Sequence, residues 1–354
     1  MKSVFHLITT INRGGAENQL VILVKEQIRQ GLDVHIIYLK GEPELMEDFL
    51  TLGASVHQEL ASQSPLLQPI KFRKLLTGKT GVIHAHLPRA ELVALFANKR
   101  FQVIASRHNA EPFFPGAPKL ISNFLSRLVE RRSAKIIAIS NAVKKYLITR
   151  GEVAKSEKIA VVHYGYTPKC GEVKLDTKPI HQVLKLGTIS RLANQKDIPT
   201  MLAAFLDYKK QLNTSSLSIL GSGPLEVELK ETAKNMGIAD SVFFLGRSSL
   251  IYEFLAGLDV FVLTSKYEGF GMVLLEAMDA GVPVVASHNS AIPEVLGEDF
   301  PGLCTTGDSK DFYLKIERLN DPEYRIRVLA QQRTRLESFR ADVMCSKINL
   351  IYSF

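Results

Sequence analysis

The stretch 259-DVFVLTSKYEGFGMVLLEAMDAGVPVVAS-287 decides how the chain is read. The apolar run Asp259 to Ser265 reads as a strand, "KYEGFG" as a turn, "MVLLEAMDAG" as a helix, and "VPVVAS" as a second strand. Strand, glycine turn, helix and strand make one βαβ unit, which implies a parallel sheet with helices on its faces. The turn carries Glu268, Gly269, Phe270, Gly271 and Met272, and Glu276 follows one helical turn later. Backbone N–H groups near Phe270, Gly271 and Met272 would meet an anion, with the positive helix end behind them. Ionised carboxylates accept hydroxyl hydrogen bonds strongly, so two acids around this turn suit a ligand carrying phosphates and sugar hydroxyls together. Taken alone, the stretch is read more plainly with Glu276 as a surface or salt-bridged helix residue.

The same alternation runs through the whole chain. Upstream strands are expected in "SVFHLIT", "DVHIIYL", "ASVHQEL", "GVIHAH", "QVIASRH", "KIIAIS" and "KIAVVH". Downstream ones are expected in "QVLKLGTIS", "LSILGSG", "SVFFLG", "DVFVLTS" and "VPVVAS", with helical segments between. A polar Gly- and Pro-containing stretch, Tyr164 to Pro179, interrupts the rhythm and reads as a hinge between two Rossmann-like domains. Ligands of such sheets sit beyond the carboxyl ends of the strands, so two facing domains would create one cleft. At 354 residues, two domains are the natural division.

Composition narrows the class. The formal net charge of +8 favours an anionic partner. The surplus is spread along the chain, and no aromatic-interleaved basic motif points to nucleic acid. Cys170, Cys304 and Cys345 form no C-x-x-C pair, which argues for a reducing compartment and against a disulfide framework or zinc cage. The start "MKSVFHLITTINRGG" reads as a first strand, not a signal peptide. No apolar run is long enough to span a membrane. The sequence offers no Asp-x-Asp motif, and no His/Cys ligand cluster is expected from it.

Phosphate handles sort by context. "TGKT" at Thr77 to Thr80 lacks the preceding glycine of a nucleotide loop, since Arg73 stands there. "ILGSGP" follows a strand but lacks a third glycine, and the next strand ends at Gly246-Arg247 without a ribose-binding acid, against a nicotinamide dehydrogenase. "TTINRGGAENQL" places Gly14 and Gly15 between strand and helix, where they serve either a close anion approach or merely a tight turn. "GTISRLANQKDIP" puts Arg191 and Lys196 past a strand end, a pair able to neutralise a diphosphate.

Together "GGAEN", "GTISRLANQKD", "ILGSGP", "VFFLG", "SKYEGFGMVLLEAMDAGVPVVAS" with its E-x7-E spacing, "AIPEVL" and "FRADVMCSKINLIY" resemble the family four retaining glycosyltransferases. The resemblance covers nearly the whole chain and is most specific in the second half. It implies the α/β GT-B fold, two Rossmann-like domains facing each other across a cleft. The division implied is an acceptor-binding domain at 1–165, a nucleotide-sugar domain at 180–338, and a C-terminal helix at 339–354 packing back towards the first. By the same resemblance Arg191 and Lys196 hold the diphosphate of a nucleotide-diphospho-sugar and Glu276 binds its ribose. Glu268 and the backbone of Gly269, Phe270, Gly271 and Met272 meet the donor sugar. Gly221 and the segment Phe244 to Arg247, with Gly246, line the nucleotide, and Gly14 and Gly15 reach the phosphates. His108 in "ASRHNAEP" matches a family histidine near the donor sugar, with His84 and His86 of "IHAHLP" as rivals. The catalytic set implied is His108, Glu268, Arg191 and Lys196, with no metal or cofactor and a UDP-sugar preferred over a GDP-sugar as co-substrate. Two positions depart from the family pattern: Asp279 stands where a small residue is usual, and "HYGYTP" replaces Asn-Gly-Val-Asp at the hinge.

The implied activity is transfer to a hydroxyl acceptor, lipid-linked in many relatives, in polysaccharide, lipopolysaccharide or glycolipid synthesis. A sugar-nucleotide epimerase of the same fold and a non-catalytic nucleotide-sugar-binding protein stand as alternatives. "KLISNFLSRLVERR", Lys119 to Arg132, carries an apolar stripe with basic residues mostly off it. Ordinary core packing is the reading preferred for it; the alternative is a cytoplasmic protein resting peripherally on an anionic inner-membrane face.

Overall fold

The computed structural model describes residues 2–171 and 184–353. The expected boundary at residue 180 and the hinge positions 172–179 fall outside them. The chain divides into two units, Met1–Thr167 with Phe339–Phe354, and Pro168–Ser338.

The first unit holds one seven-stranded sheet: β1 (Ser3–Ile8), β2 (Asp33–Tyr38), β3 (Ser55–His57), β4 (Val82–His86), β5 (Gln102–Arg107), β6 (Lys135–Ala138) and β7 (Ile159–Val161). Its order is β3-β2-β1-β4-β5-β6-β7, every pairing parallel. The chain grows outward from β1 to β3 and then jumps back beside β1 for β4, so the strand order reverses between β1 and β4. Side chains alternate across a strand. On β1, Val4 and Ile8 enter one core with Leu20, Leu23 and Val24 of the helix Gly15–Arg29 and Ile348 of the helix Ala341–Ile351. Phe5 and Leu7 enter the opposite core with Phe72, Ile83 and Val93. Burying such a side chain is worth about 1.5–3 kcal/mol. Polar residues at equivalent buried positions therefore need partners.

The second unit holds β8 (Lys185–Ile189), β9 (Ser216–Leu220), β10 (Val242–Gly246), β11 (Val260–Leu263), β12 (Val284–Ser287) and β13 (Leu303–Cys304) in the order β10-β9-β8-β11-β12-β13, again all parallel. Its reversal lies between β8 and β11. Of the strand expected from Gln182, the first two residues lie outside the described ones. β13 was not expected, because two residues carry no periodicity to read.

The helix Lys119–Arg132 meets the expectation of core packing only in its second half, where Val129 is buried and Leu125 and Leu128 are half-buried. It turns Ser122, Ser126, Val129 and Glu130 inward and leaves Leu120, Ile121 and Phe124 84%, 53% and 60% exposed. The reason is what lies beneath it. The buried Arg107 donates from Nη2 to Ser126 Oγ at 3.0 Å. Glu130 accepts from the backbone N–H groups of Ala154 and Lys155. Among the described residues, no helix is long and apolar enough to cross a membrane.

Candidate active site

In an open parallel sheet the crevice for a ligand opens where the strand order reverses. In the second unit that point is flanked by the loops after β8 and β11, and hydrogen bonds lace them together. Thr264 Oγ1 donates to the Lys196 carbonyl at 2.9 Å, the Lys266 N–H to the Gln195 carbonyl at 2.8 Å, and Gln195 Nε2 to the Tyr267 carbonyl at 2.9 Å. Lys196 Nζ lies 2.6 Å from Glu268 Oε1, which also accepts from Ser265 Oγ at 2.7 Å. Lys266 Nζ pairs with Asp197 Oδ1 at 3.3 Å. The loop after β12 adds Ser290 Oγ, donating to the Glu268 carbonyl at 2.8 Å.

Two residues expected to contact different parts of a ligand, Lys196 and Glu268, are thus joined to each other. An ammonium has three donors, and one is spent on Glu268; the pair fixes the cation in place. Arg191 is exposed, and its guanidinium has no hydrogen-bond or ion-pair partner among the described residues. The two ion pairs balance, so Arg191 leaves the loop pair net positive.

Gly271 is left-handed at φ +93, where only glycine sits without strain, and it precedes the helix Met272–Asp279. Phe270 is buried, which anchors the turn. Glu276 faces partly outward from this helix, with no hydrogen-bond or ion-pair partner for its carboxylate among the described residues. Burial pushes its carboxyl up to about 7, and Lys169 offsets only part of this. Asp279, the departure from the family pattern, is buried and accepts from the backbone N–H of Lys169 at 2.8 Å and of Cys170 at 3.2 Å. Its carboxylate therefore caps the segment that begins this unit.

The other nucleotide-lining candidates sit on neighbouring strand ends. Gly221 has φ +137, and a Cβ there would lie 2.0 Å from the Ser190 carbonyl oxygen, so the glycine permits the approach of the loop after β8. Its N–H donates to the carbonyl of Gly246. Arg247 is exposed and donates from Nε to Ser222 Oγ at 2.8 Å.

In the first unit, Gly14 is extended at φ −153 and caps the helix that starts at Gly15. Nothing lies within 4 Å of where a Gly15 Cβ would stand. A Cβ on Gly14, by contrast, would lie 2.5 Å from Glu17 Oε2, so the helix start is open at Gly15 and close to the Glu17 carboxylate at Gly14.

The expectation of no histidine cluster is corrected here. The "HAH" spacing puts His84 and His86 on one face of β4, and register sets His84 beside His6 of β1. Ligand-type atoms of His6, His84 and His86 fall within 4.8 Å of one another. All their ring nitrogens are already engaged. His6 Nε2 meets Gln27 Oε1 at 2.8 Å and His6 Nδ1 meets His86 Nε2 at 3.0 Å. His86 Nδ1 meets His108 Nε2 at 3.2 Å, and His108 Nδ1 meets the Tyr164 hydroxyl at 2.7 Å. His84 contacts the Tyr352 hydroxyl and Ser106 Oγ, both at 2.6 Å. Burial drives His6 and His108 down to about 4, the Arg107 guanidinium adding to the effect on His108. Burial likewise holds His84 and His86 well below the usual imidazole range. All four are neutral at pH 7.

Beside His108, Arg107 is buried between two acids, with Nε 2.9 Å from Glu91 Oε2 and Nη1 3.3 Å from Glu152 Oε2. Burial raises the Glu91 carboxyl to about 7 despite that guanidinium. His108 lines a cavity of about 110 Å³ with Glu91, Asn109, Glu111 and Phe113.

Reading the sequence missed Ser265, Gln195, Asp197 and Ser290, which brace the charged pair, and His6, Gln27, Tyr164 and Tyr352, which complete the histidine network. Only the His84-His86 spacing carried a signal, two buried polar side chains at strand period on a face otherwise apolar.

Comparison with known proteins fits this geometry. The family described as "Glycosyl transferases group 1" matches residues 177–335, and "Glycosyltransferase Family 4" matches residues 13–169. HepE of Anabaena, solved in complex with UDP-glucose, superposes with a TM-score of 0.81 at 20% identity over 100% of both chains. The fold is therefore GT-B, and the protein is a glycosyltransferase. The chain belongs to the family four, group 1 glycosyltransferases. Among relatives, N-acetyl-alpha-D-glucosaminyl L-malate synthase of Bacillus anthracis is 26% identical over 77% of this chain and 74% of its own. The capsular polysaccharide biosynthesis glycosyltransferase CapM of Staphylococcus aureus is 23% identical over 99% of this chain and 97% of its own.

Proposed function

We propose that the protein transfers a sugar from a nucleotide-diphospho-sugar, a UDP-sugar before a GDP-sugar, to a hydroxyl acceptor with retained configuration and without a metal. The observation that carries this is the braced Lys196–Glu268 pair at the strand-order reversal, with the Arg191 guanidinium and the Glu276 carboxylate left unengaged beside it among the described residues. Arg191 and Lys196 neutralise the diphosphate, and the start of the helix Met272–Asp279 adds its positive end. Glu276 accepts from the ribose hydroxyls; Glu268 and the backbone after it take the donor sugar. As the bond from the anomeric carbon to the phosphate oxygen breaks, the electron pair passes to the leaving nucleoside diphosphate, where these cations stabilise it; the acceptor oxygen bonds the anomeric carbon and its proton passes to the departing phosphate oxygen. The likeness to CapM supports a place in polysaccharide synthesis.

The test is incubation with a panel of UDP- and GDP-sugars, following thermal stabilisation and then release of UDP or GDP with and without hydroxyl acceptors. Acceptor-dependent release from one donor supports the proposal. Turnover of the sugar with no acceptor requirement points to an epimerase, and binding without turnover to a non-catalytic protein.

One observation favours a peripheral membrane contact: the outward face of the helix Lys119–Arg132. Leu120, Ile121 and Phe124 are each worth about 1.5–3 kcal/mol if fully buried. The exposed Lys119, Arg127 and Arg131 add about 1 kcal/mol apiece near an anionic surface. That is the scale of reversible adsorption. Co-sedimentation with anionic vesicles is expected, weakened by salt and by Phe124→Ser; equal recovery with neutral vesicles would remove the contact.

A further inference from the structure

The histidine network has a direction, and Gln27 sets it. A carboxamide offers a carbonyl that only accepts and an NH2 that only donates. Gln27 Oε1 faces His6 Nε2 at 2.8 Å, while its Nε2 donates towards the Tyr352 hydroxyl at 3.4 Å. With the amide in this orientation, His6 Nε2 carries the proton. A neutral imidazole has one donor and one acceptor, so His6 Nδ1 accepts and His86 Nε2 donates to it. The same step repeats: His86 Nδ1 accepts, and His108 Nε2 donates. His108 is left with Nδ1 as a lone pair, and the Tyr164 hydroxyl donates to it at 2.7 Å. Burial raises the Tyr164 hydroxyl pKa, which keeps its proton in place. The branch through Tyr352 obeys the same rule, with Tyr352 donating to His84 Nδ1 and His84 Nε2 donating to Ser106 Oγ. Turning the Gln27 amide would reverse every step of both.

We infer that Gln27, acting through His6 and His86, holds His108 as its Nε2–H tautomer, so that His108 meets a ligand hydroxyl only as a hydrogen-bond acceptor, at Nδ1, in competition with Tyr164. Gln27, His6 and His86 are positioning residues; His108 is the group that touches ligand. The assignment of His108 to a ligand hydroxyl rests on the transferase reading above, whereas the tautomer rests on the network alone. Space for the exchange lies on both sides. A cavity of about 30 Å³ touches His86, His108 and Tyr164, and the one of about 110 Å³ brings Glu91 and Glu111 to the same imidazole. Glu91, Glu111, Asn109 and Arg107 give that cavity both acceptors and donors beside the apolar Phe113, which suits a polyhydroxylated ring.

The test has two arms. Nitrogen-15 NMR of the full chain labelled at histidine separates protonated from bare ring nitrogens, and Nε2 from Nδ1. Nε2–H is expected for His6, His86 and His108, and an Nδ1–H tautomer at His108 would overturn the polarity whatever the enzyme does. In kinetics, His86→Gln keeps the direction, because its carbonyl can accept from His108 and its NH2 donate to His6, whereas His86→Leu breaks it. His86→Leu is expected to lower kcat/KM by about 2–10-fold, and His86→Gln to restore most of that. Tyr164→Phe is expected to lower the KM of whichever substrate meets His108. Equal activity of the Leu and Gln variants, with the wild-type tautomers as stated, would remove the positioning role. Wild-type protein inactive with every donor but showing these tautomers would sink the transferase reading and leave the polarity intact.

Discussion

The two sheets share one winding rule, and the points where their strand order reverses carry opposite electrostatics. In the second unit that point is ionic: Lys196 with Glu268, Lys266 with Asp197, and Arg191 left over. In the first unit the network itself is neutral, four imidazoles, an amide and hydroxyls, with the charged Arg107–Glu91–Glu152 cluster set beside it. A topology therefore places a site without choosing its ligand. A diphosphate needs the net positive crevice, whereas a sugar hydroxyl, being uncharged, is served by a neutral acceptor at lower desolvation cost.

The strongest way to break this contrast is Lys196→Ala. Loss of a group aimed at leaving-group charge is expected to lower kcat by about 10²–10³, read in steady-state kinetics with saturating donor. It also strands Glu268, only 6% exposed, without its cation, so the melting temperature falls as well. Adding Glu268→Gln is expected to recover melting but not turnover. Recovery of both would mean that the pair is structural.

Glycines sharpen the comparison. Gly221→Ala drives a Cβ to 2.0 Å from the Ser190 carbonyl oxygen at φ +137 and is expected to cost about 1–3 kcal/mol, seen as a drop in melting temperature. Gly15→Ala meets nothing within 4 Å, so its melting temperature should hold and any effect should appear in kinetics alone.

The smallest effect concerns Glu276. Its carboxyl is raised from 4.5 to about 7 by burial, so the folded state holds the proton more tightly than the unfolded state. The stability this contributes is present below about pH 4.5 and is lost as pH rises to about 7. With Glu276 in the proposed ribose-binding role, donor affinity is expected to run the other way, weakening below about pH 7 as the carboxylate is protonated. Glu276→Gln is expected to flatten both dependences and to raise the donor KM a few-fold. A donor KM that follows pH identically in the variant would exclude Glu276 from the site.

Legibility followed the range of the interactions. The "KYEGFG" turn, the strand alternation and the Arg191–Lys196 spacing are local patterns, and the βαβ reading built on them matches the two parallel sheets. The helix Lys119–Arg132 misled in its first half, because its periodicity shows that an apolar face exists but not which face meets the core. Arg107 and the loop at Ala154–Lys155 decided that from far along the chain. The histidine network was out of reach for the same reason, since His6, Gln27, His86, Tyr164 and Tyr352 are distant in sequence.

By itself the amino-acid order determined the class of fold, the two-unit division and the family, because backbone propensity and side-chain period act over a few residues and survive without tertiary contacts. Only the folded chain decided that Lys196 and Glu268 form a pair, that Leu120 and Phe124 face outward, and that four imidazoles meet in one hydrogen-bonded network. Those outcomes depend on burial and on hydrogen-bond partners brought together across β1, β4 and β5 and across the β8 and β11 loops, and no local pattern encodes them.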